Sequence, residues 1–138
     1  MSSRSLSDLH PQFQPLATQF LAVAKQQGFD VLLYCTYRSN AEQAALYAQG
    51  RTAPGPIVTN APAGSSAHNY GLAFDACPMN NGKPVWSDVD PLWVTYGAIA
   101  TSVGLDWAGS PGFPFREFPH CQMPNWRAFT NNPITVTV

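Results

Sequence analysis

Three histidines occur in the chain, at positions 10, 68 and 120, and two of them stand in company that could hold a metal. His68 opens the run His68-Asn69-Tyr70-Gly71-Leu72-Ala73-Phe74-Asp75, and His120 closes Glu117-Phe118-Pro119-His120. An imidazole and a carboxylate at the mouth and along the body of a strand, joined by a distant imidazole, supply the three protein ligands of a catalytic zinc site and leave the fourth position open for water. Zinc lowers the pKa of such a water to about 7, and Glu117 is the candidate general base that takes its proton and passes it to a leaving amine. The chemistry so assembled is amide hydrolysis.

Geometry constrains this reading. On one continuous strand, positions separated by an odd number of residues face opposite sides, so His68 and Asp75 meet only if a turn intervenes. Gly71 supplies it. A developing oxyanion needs a further donor, and Arg38, in Thr36-Tyr37-Arg38-Ser39, is the candidate for that oxygen or for a substrate carboxylate. Its plainer alternative is a surface ion pair with Glu42. Ser66 and Gln43 could add hydrogen bonds to substrate. Taken singly, His68 reads as a solvated loop residue, Asp75 as a strand-end carboxylate and Glu117 as a partner of Arg116; the joint pattern favours the site.

Cys77 and Cys121 offer a competing metal set, disfavoured because His120 and Cys121 face opposite sides of a strand and Pro78 disturbs the strand beside Cys77. The three cysteines, Cys35 included, read as reduced, buried thiols. Asp88 and Asp90 could bind calcium, but a solvated turn and a helix N-cap explain them more simply. Trp93, Trp107 and Trp126 read as core, and His10 as surface.

Apolar residues at helical spacing run from 16 to 27 and stop at Gly28. Val31–Tyr37 is rich in β-branched and aromatic residues and predicts a strand. Ser39 or Asn40 caps a helix from Ala41 to about Gln49, with Glu42 in its first turn. Residues 51–66 hold Pro54, Gly55, Pro56, Pro62 and Gly64 and read as a long loop. Leu72–Cys77 predicts a second strand, Asn80-Asn81-Gly82 a hairpin turn, Asp90-Pro91 the start of a third helix ending at Gly104, and His120–Gln122 a last strand. The expectation is one domain over residues 1–138, with a polar leader (1–15) and a tail (127–138).

Composition agrees: 45% hydrophobic and 11% charged residues suit a packed globule and exclude a disordered chain. A formal net charge of −1, with seven scattered Lys and Arg, leaves no footprint for nucleic acid. No secretory h-region and no apolar run of about 20 residues appears, so stable membrane insertion is not expected and synthesis should end in the cytoplasm. A monomer is expected.

Ser66-x-His68-x-x-Gly71-x-Ala73-x-Asp75 with the later Glu117-x-x-His120 resembles the zinc D-alanyl-D-alanine carboxypeptidase and dipeptidase family. Tyr37-Arg38-Ser39, Gln43 and Leu46-Tyr47-Ala48-Gln49-Gly50-Arg51-Thr52 look like its branch of phage endolysins, the L-alanyl-D-glutamate peptidases. The resemblance spans roughly Phe29 to Gln122. It implies His68, Asp75 and His120 as zinc ligands, Glu117 as base, Arg38 in the substrate site, and an α+β fold with helices packed on a small antiparallel sheet, shared with the Hedgehog signalling domain. It also implies a peptidoglycan stem peptide as substrate and host lysis, the enzyme leaving the cytoplasm to act in the periplasm or wall. The rivals are a D-alanyl-D-alanine carboxypeptidase and a non-catalytic, zinc-stabilised wall-binding module. Pro119 stands where many relatives carry Trp.

Overall fold

The computed structural model describes residues 2–131, so the tail expected over 127–138 is described only as far as Asn131. Helix α1 (Gln14–Gln26) starts earlier than the apolar spacing predicts, because Pro15 fits the first turn, where no N–H is needed. Strand β1 (Val31–Cys35) ends two residues before the predicted Tyr37. Helix α2 (Asn40–Ala48) is opened by a reciprocal cap: Ser39 Oγ accepts from the Glu42 N–H at 3.1 Å, and the Glu42 carboxylate accepts from the Ser39 N–H at 3.0 Å.

Strand β2 (Ala73–Asn80) is the longest, and it turns through Asn81-Gly82, both at positive φ, into the short β3 (Lys83–Pro84). The expected hairpin forms, but on a two-residue turn: Asn80, read as part of the turn, pairs with Lys83 as the last residue of β2, which runs past the predicted end at Cys77. Asp90 Oδ1 accepts the Leu92 N–H at 2.9 Å at the start of helix α3 (Leu92–Ser102), and β4 (Asp106–Trp107) and β5 (His120–Gln122) complete the sheet. The antiparallel order is β1-β2-β5-β4, with β3 on β2. Phe13, Phe20, Phe74, Trp93 and Tyr96 form the aromatic centre of the core, packed by α1 and α3 against the sheet. The expected small antiparallel sheet with packed helices is the fold observed. Among the described residues no helix is long and apolar enough to cross a membrane.

The segment before α1 is not a loose polar leader: Leu9 and Phe13 are buried, and Ser3 makes backbone hydrogen bonds to Thr36 and Tyr37 just past β1. His10, expected at the surface, is 5% exposed, and its N–H donates to the Gly71 carbonyl at 2.9 Å. A few well-placed apolar residues among polar ones are enough to bury a short segment when the sheet leaves a groove for it.

Candidate functional site

The centre of the sheet brings the far-apart residues together by register. Asp75 on β2 pairs with His120 on β5 on one side and with Cys35 on β1 on the other. The β1 pairing skips Tyr34 between Leu33 and Cys35; this irregularity sets Cys35 opposite Asp75. His68 arrives from the preceding 3₁₀ turn, Ala67–Tyr70, whose last residue is followed by Gly71 at φ 67°, ψ 27°. That left-handed position is the turn the sequence required: it reverses the chain so that Asp75 points back at His68.

The turn itself is fastened at several points. Ser66 Oγ accepts the His68 N–H at 3.3 Å, and the Asn69 side-chain oxygen accepts the Ser66 N–H at 3.2 Å. The Asn69 amide donates to the Arg38 carbonyl at 2.9 Å, while the Arg38 N–H donates to the His68 carbonyl at 3.1 Å. Thus Arg38 and His68 are locked in relative position through their backbones.

Three cationic or imidazole groups converge on one carboxylate. His68 Nε2 lies 3.2 Å and His120 Nδ1 3.4 Å from Asp75 Oδ1, and an Arg38 Nη2 lies 3.6 Å from Asp75 Oδ2. The outer nitrogen of each ring faces an acceptor: His68 Nδ1 is 2.9 Å from the Thr36 carbonyl, and His120 Nε2 is 2.8 Å from Gln122 Oε1. Those acceptors hold the proton on the outer nitrogen, so each inner nitrogen turns a lone pair toward a carboxylate oxygen. Such an arrangement is repulsive unless a proton or a cation lies between them. The donor set therefore fits a divalent metal, with the ring orientations fixed from outside.

A second grouping overlaps this one. Cys35 Sγ, with His68 and Asp75, has its ligand atom within 4.8 Å of the other two. Cys35 approaches the Nδ1 edge of His68 at 3.8 Å, the edge already turned to the Thr36 carbonyl. Asp75 and His120 lie on the Nε2 side, so the three non-thiol groups are the better-directed set. Sequence reasoning missed Cys35, because its place beside Asp75 depends on the skipped residue in β1.

Electrostatics follow from the same contacts. Burial opposes a charge on His68, but the Asp75 carboxylate outweighs it and raises the imidazole to about 10. Burial likewise works against Asp75 ionising, yet the charges and hydrogen bonds of His68 and His120 hold it far below the usual carboxylate range. Glu117 is raised above its ordinary value, chiefly by burial, with Asp75 adding to the rise and His120 pulling against it. Glu117 lines the same cleft as the two histidines and Asp75, a space of about 670 Å³ bounded also by residues 58–62 and 113–115. It does not pair with Arg116, whose guanidinium donates to the Gly109 carbonyl and lies over the Phe118 ring.

Arg38 also lines the cleft, and its guanidinium donates to Gln43 Oε1 at 3.0 Å and to Cys35 Sγ at 3.5 Å besides meeting Asp75. Ser66 lines the cleft as well. Gln43 is fully buried and divides its side chain between Arg38 and the Ala61 carbonyl, which its amide reaches at 2.7 Å. It ties Arg38 to the loop expected over 51–66. Cys121 lies in the core with its Sγ against the Tyr96 hydroxyl, on the opposite face from His120, and all three cysteines are free and buried.

A profile of the VanY family, D-alanyl-D-alanine carboxypeptidase, matches residues 6–91, more than half of the chain. The chain belongs to the VanY family. A relative in Bacillus subtilis (strain 168), the peptidoglycan L-alanyl-D-glutamate endopeptidase CwlK, is 39% identical over 128 residues, covering 86% of this chain and 76% of its own. Among solved structures, the Serratia marcescens L-Ala D-Glu endopeptidase ChiX superposes with a TM-score of 0.66 at 18% identity, covering 94% of this chain and 92% of its own. The vancomycin resistance D,D-pentapeptidase VanY, an E175A mutant in complex with Zn(II), does so with 0.63 at 15% identity, covering 89% and 76%. These superpositions establish a VanY-type peptidase fold. The profile match ends before Glu117 and His120, so His120 is joined to the candidate site by the sheet register and Glu117 by its place in the cleft lining.

Proposed function

We propose that this VanY-family chain is a zinc-dependent peptidoglycan endopeptidase that hydrolyses the L-alanyl-D-glutamate bond of stem peptides. The observation that carries the reading is the convergence of two outwardly tethered imidazoles on one oxygen of Asp75, with Glu117 facing the same cleft. The choice of bond is supported by the 39% identical relative of that name. His68 through Nε2, His120 through Nδ1, and Asp75 would hold the zinc. Bound there, zinc supplies Lewis acidity, polarising a carbonyl and making water a nucleophile near neutral pH.

The chain's own residues do the rest. Glu117, half-buried and raised by that burial, takes a proton from the attacking water and delivers it to the departing amine. Arg38, fixed by Gln43 and Asp75, presents its guanidinium beside the carbonyl that becomes an oxyanion. Gln43 holds Arg38 in place, and Ser66 orients His68 while lining the substrate cleft. The same reading extends to a monomeric lytic enzyme of phage type, supported by Tyr37-Arg38-Ser39 and Leu46 to Thr52. Such an enzyme is made in the host cytoplasm and acts on the wall once released.

Digestion of intact sacculi by the purified zinc-loaded protein tests the proposal. Release of fragments with a new D-glutamyl amino terminus is expected. Loss of terminal D-alanine alone would identify a carboxypeptidase, and wall binding without any cleavage a non-catalytic module.

A further inference from the structure

The cleft contains a second arginine that the chemistry above does not use. Arg127 lines it, in the short 3₁₀ turn Trp126–Phe129 that follows β5. Asn125, just before that turn, sits at φ 53°, a backbone state asparagine tolerates better than most residues. The turn sends Trp126 inward, 7% exposed, and leaves Arg127 exposed at the cleft. The guanidinium lies 4.5 Å from the centroid of the Trp126 ring, which itself stacks on Tyr70 at 5.8 Å. Tyr70 is fastened by its hydroxyl to the Gly64 carbonyl at 2.7 Å. Arg127 thus rests on a fixed aromatic platform.

Among the described residues no carboxylate forms an ion pair with Arg127, whereas Arg38, the other arginine of the cleft, is already engaged by Asp75. Asp75 and Glu117 are the carboxylates lining the cleft, so an anionic substrate group entering it meets like charges and needs one available cation. A glutamyl residue has two carboxyl groups, and continuing the peptide uses only one. A substrate cut at an L-alanyl-D-glutamate bond therefore carries one remaining carboxyl on the residue whose nitrogen departs.

Resting on the endopeptidase reading, we propose that Arg127 is a specificity-determining residue that pairs with the free carboxylate of that glutamyl residue. Arg38 is left to the scissile carbonyl. Stacking on Trp126 restricts the guanidinium without consuming its N–H donors, which suits it to grip a carboxylate through two hydrogen bonds.

The test compares two synthetic stem peptides that differ only in that group, free carboxylate against carboxamide, with the zinc-loaded wild type, Arg127→Gln and Arg127→Lys. The wild type should favour the carboxylate by about 10- to 100-fold in kcat/KM, the range of a charge-assisted hydrogen bond, and mostly through KM. In Arg127→Gln this preference should fall toward one. Arg127→Lys, which keeps a point charge without the fork, should keep part of it. Zinc content and thermal unfolding of each variant report its folding. An acid-to-amide ratio unchanged in Arg127→Gln, or equal losses on both peptides, would overturn the assignment while leaving the endopeptidase reading intact. A wild type that cleaves neither peptide would overturn both.

Discussion

The two walls of the cleft are built on different principles. The sheet wall carries His68, Asp75 and His120 on adjacent strands and a capped turn, and each imidazole is fixed from behind by a separate acceptor. The other wall is loop: residues 58–62, 113–115 and Glu117, with no helix or strand among them, held by side-chain and turn hydrogen bonds such as Gln43 to Ala61, Arg51 to Thr59 and Glu117 N–H to the Ala108 carbonyl. The contrast separates two tasks. A metal site of the kind proposed tolerates errors of tenths of an ångström only, and its candidate ligands stand on the sheet; the contacts proposed for a bulky, variable substrate fall on loop, where the chain can adjust.

Breaking the sheet wall should have the largest consequence. Asp75→Ala removes the group on which both imidazoles and Arg38 converge, so zinc is lost and hydrolysis falls to background. The metal-free protein should also lose about 3–5 kcal/mol of stability, because Arg38 loses its ionic partner and His68, no longer held charged by a carboxylate, loses the contact that fixes its inner nitrogen. Metal content and a urea melt of the variant check both halves.

The pH dependence of metal uptake sharpens the same wall. In the metal-free protein Asp75 raises His68 to about 10, well above the ordinary value near 6.5 for a free imidazole. A raised pKa means the His68–Asp75 contribution to folding is complete below about pH 6.5 and is lost as pH climbs through about 10. Zinc has the opposite preference, since it must displace that proton. Its affinity should rise roughly tenfold per pH unit across the neutral range, with proton release on binding, by titration calorimetry in buffers of different ionisation enthalpy. A flat affinity from pH 6 to 8 would contradict the picture of a protonated His68.

A smaller effect should follow from Gln122→Ala, which removes the acceptor behind His120 and leaves all three proposed ligands in place. Outer partners of this kind are worth about 10- to 100-fold in metal affinity, readable by competition with a chromophoric chelator. An unchanged affinity would show that His120 is oriented by its strand alone.

The loop wall is tested through its anchor. Trp107 on β4 donates its indole N–H to the Phe118 carbonyl at 2.7 Å, and its ring fills the space where both Gly97 and Gly109 lack a side chain. A methyl group at Gly97 would overlap that ring. Gly97→Ala should therefore cost about 1–3 kcal/mol and disturb Glu117 more than the zinc site. Thermal unfolding and zinc stoichiometry measured together separate the two effects.

How much of this was legible in the sequence differs between the walls in the same way. The His68-to-Asp75 spacing around Gly71 is local, and local chemistry fixes the turn that makes it work. The hairpin around Asn80-Asn81-Gly82 and a helix cap at Ser39 or Asn40 are legible for the same reason, the structure choosing Ser39 and a turn of Asn81-Gly82. Three features were not. The packing of Leu9, His10 and Phe13 depends on a groove formed by elements far along the chain. Cys35 faces Asp75 only because β1 skips Tyr34. Gln43 was read as a substrate contact from its neighbourhood in the sequence, whereas its partners, Arg38 and the Ala61 carbonyl, bury it behind the cleft. Each is decided by tertiary register, which residue spacing does not encode.

The central claim is that the sheet residues hold zinc and that Glu117 handles protons without holding it. Zinc content and turnover on stem peptide, measured side by side for His68→Ala and Glu117→Gln, test this most directly. His68→Ala should lose both, while Glu117→Gln should keep stoichiometric zinc and lose about 10²- to 10⁴-fold in kcat, the range for a general base. Stoichiometric zinc in His68→Ala, or wild-type turnover in Glu117→Gln, would contradict the account.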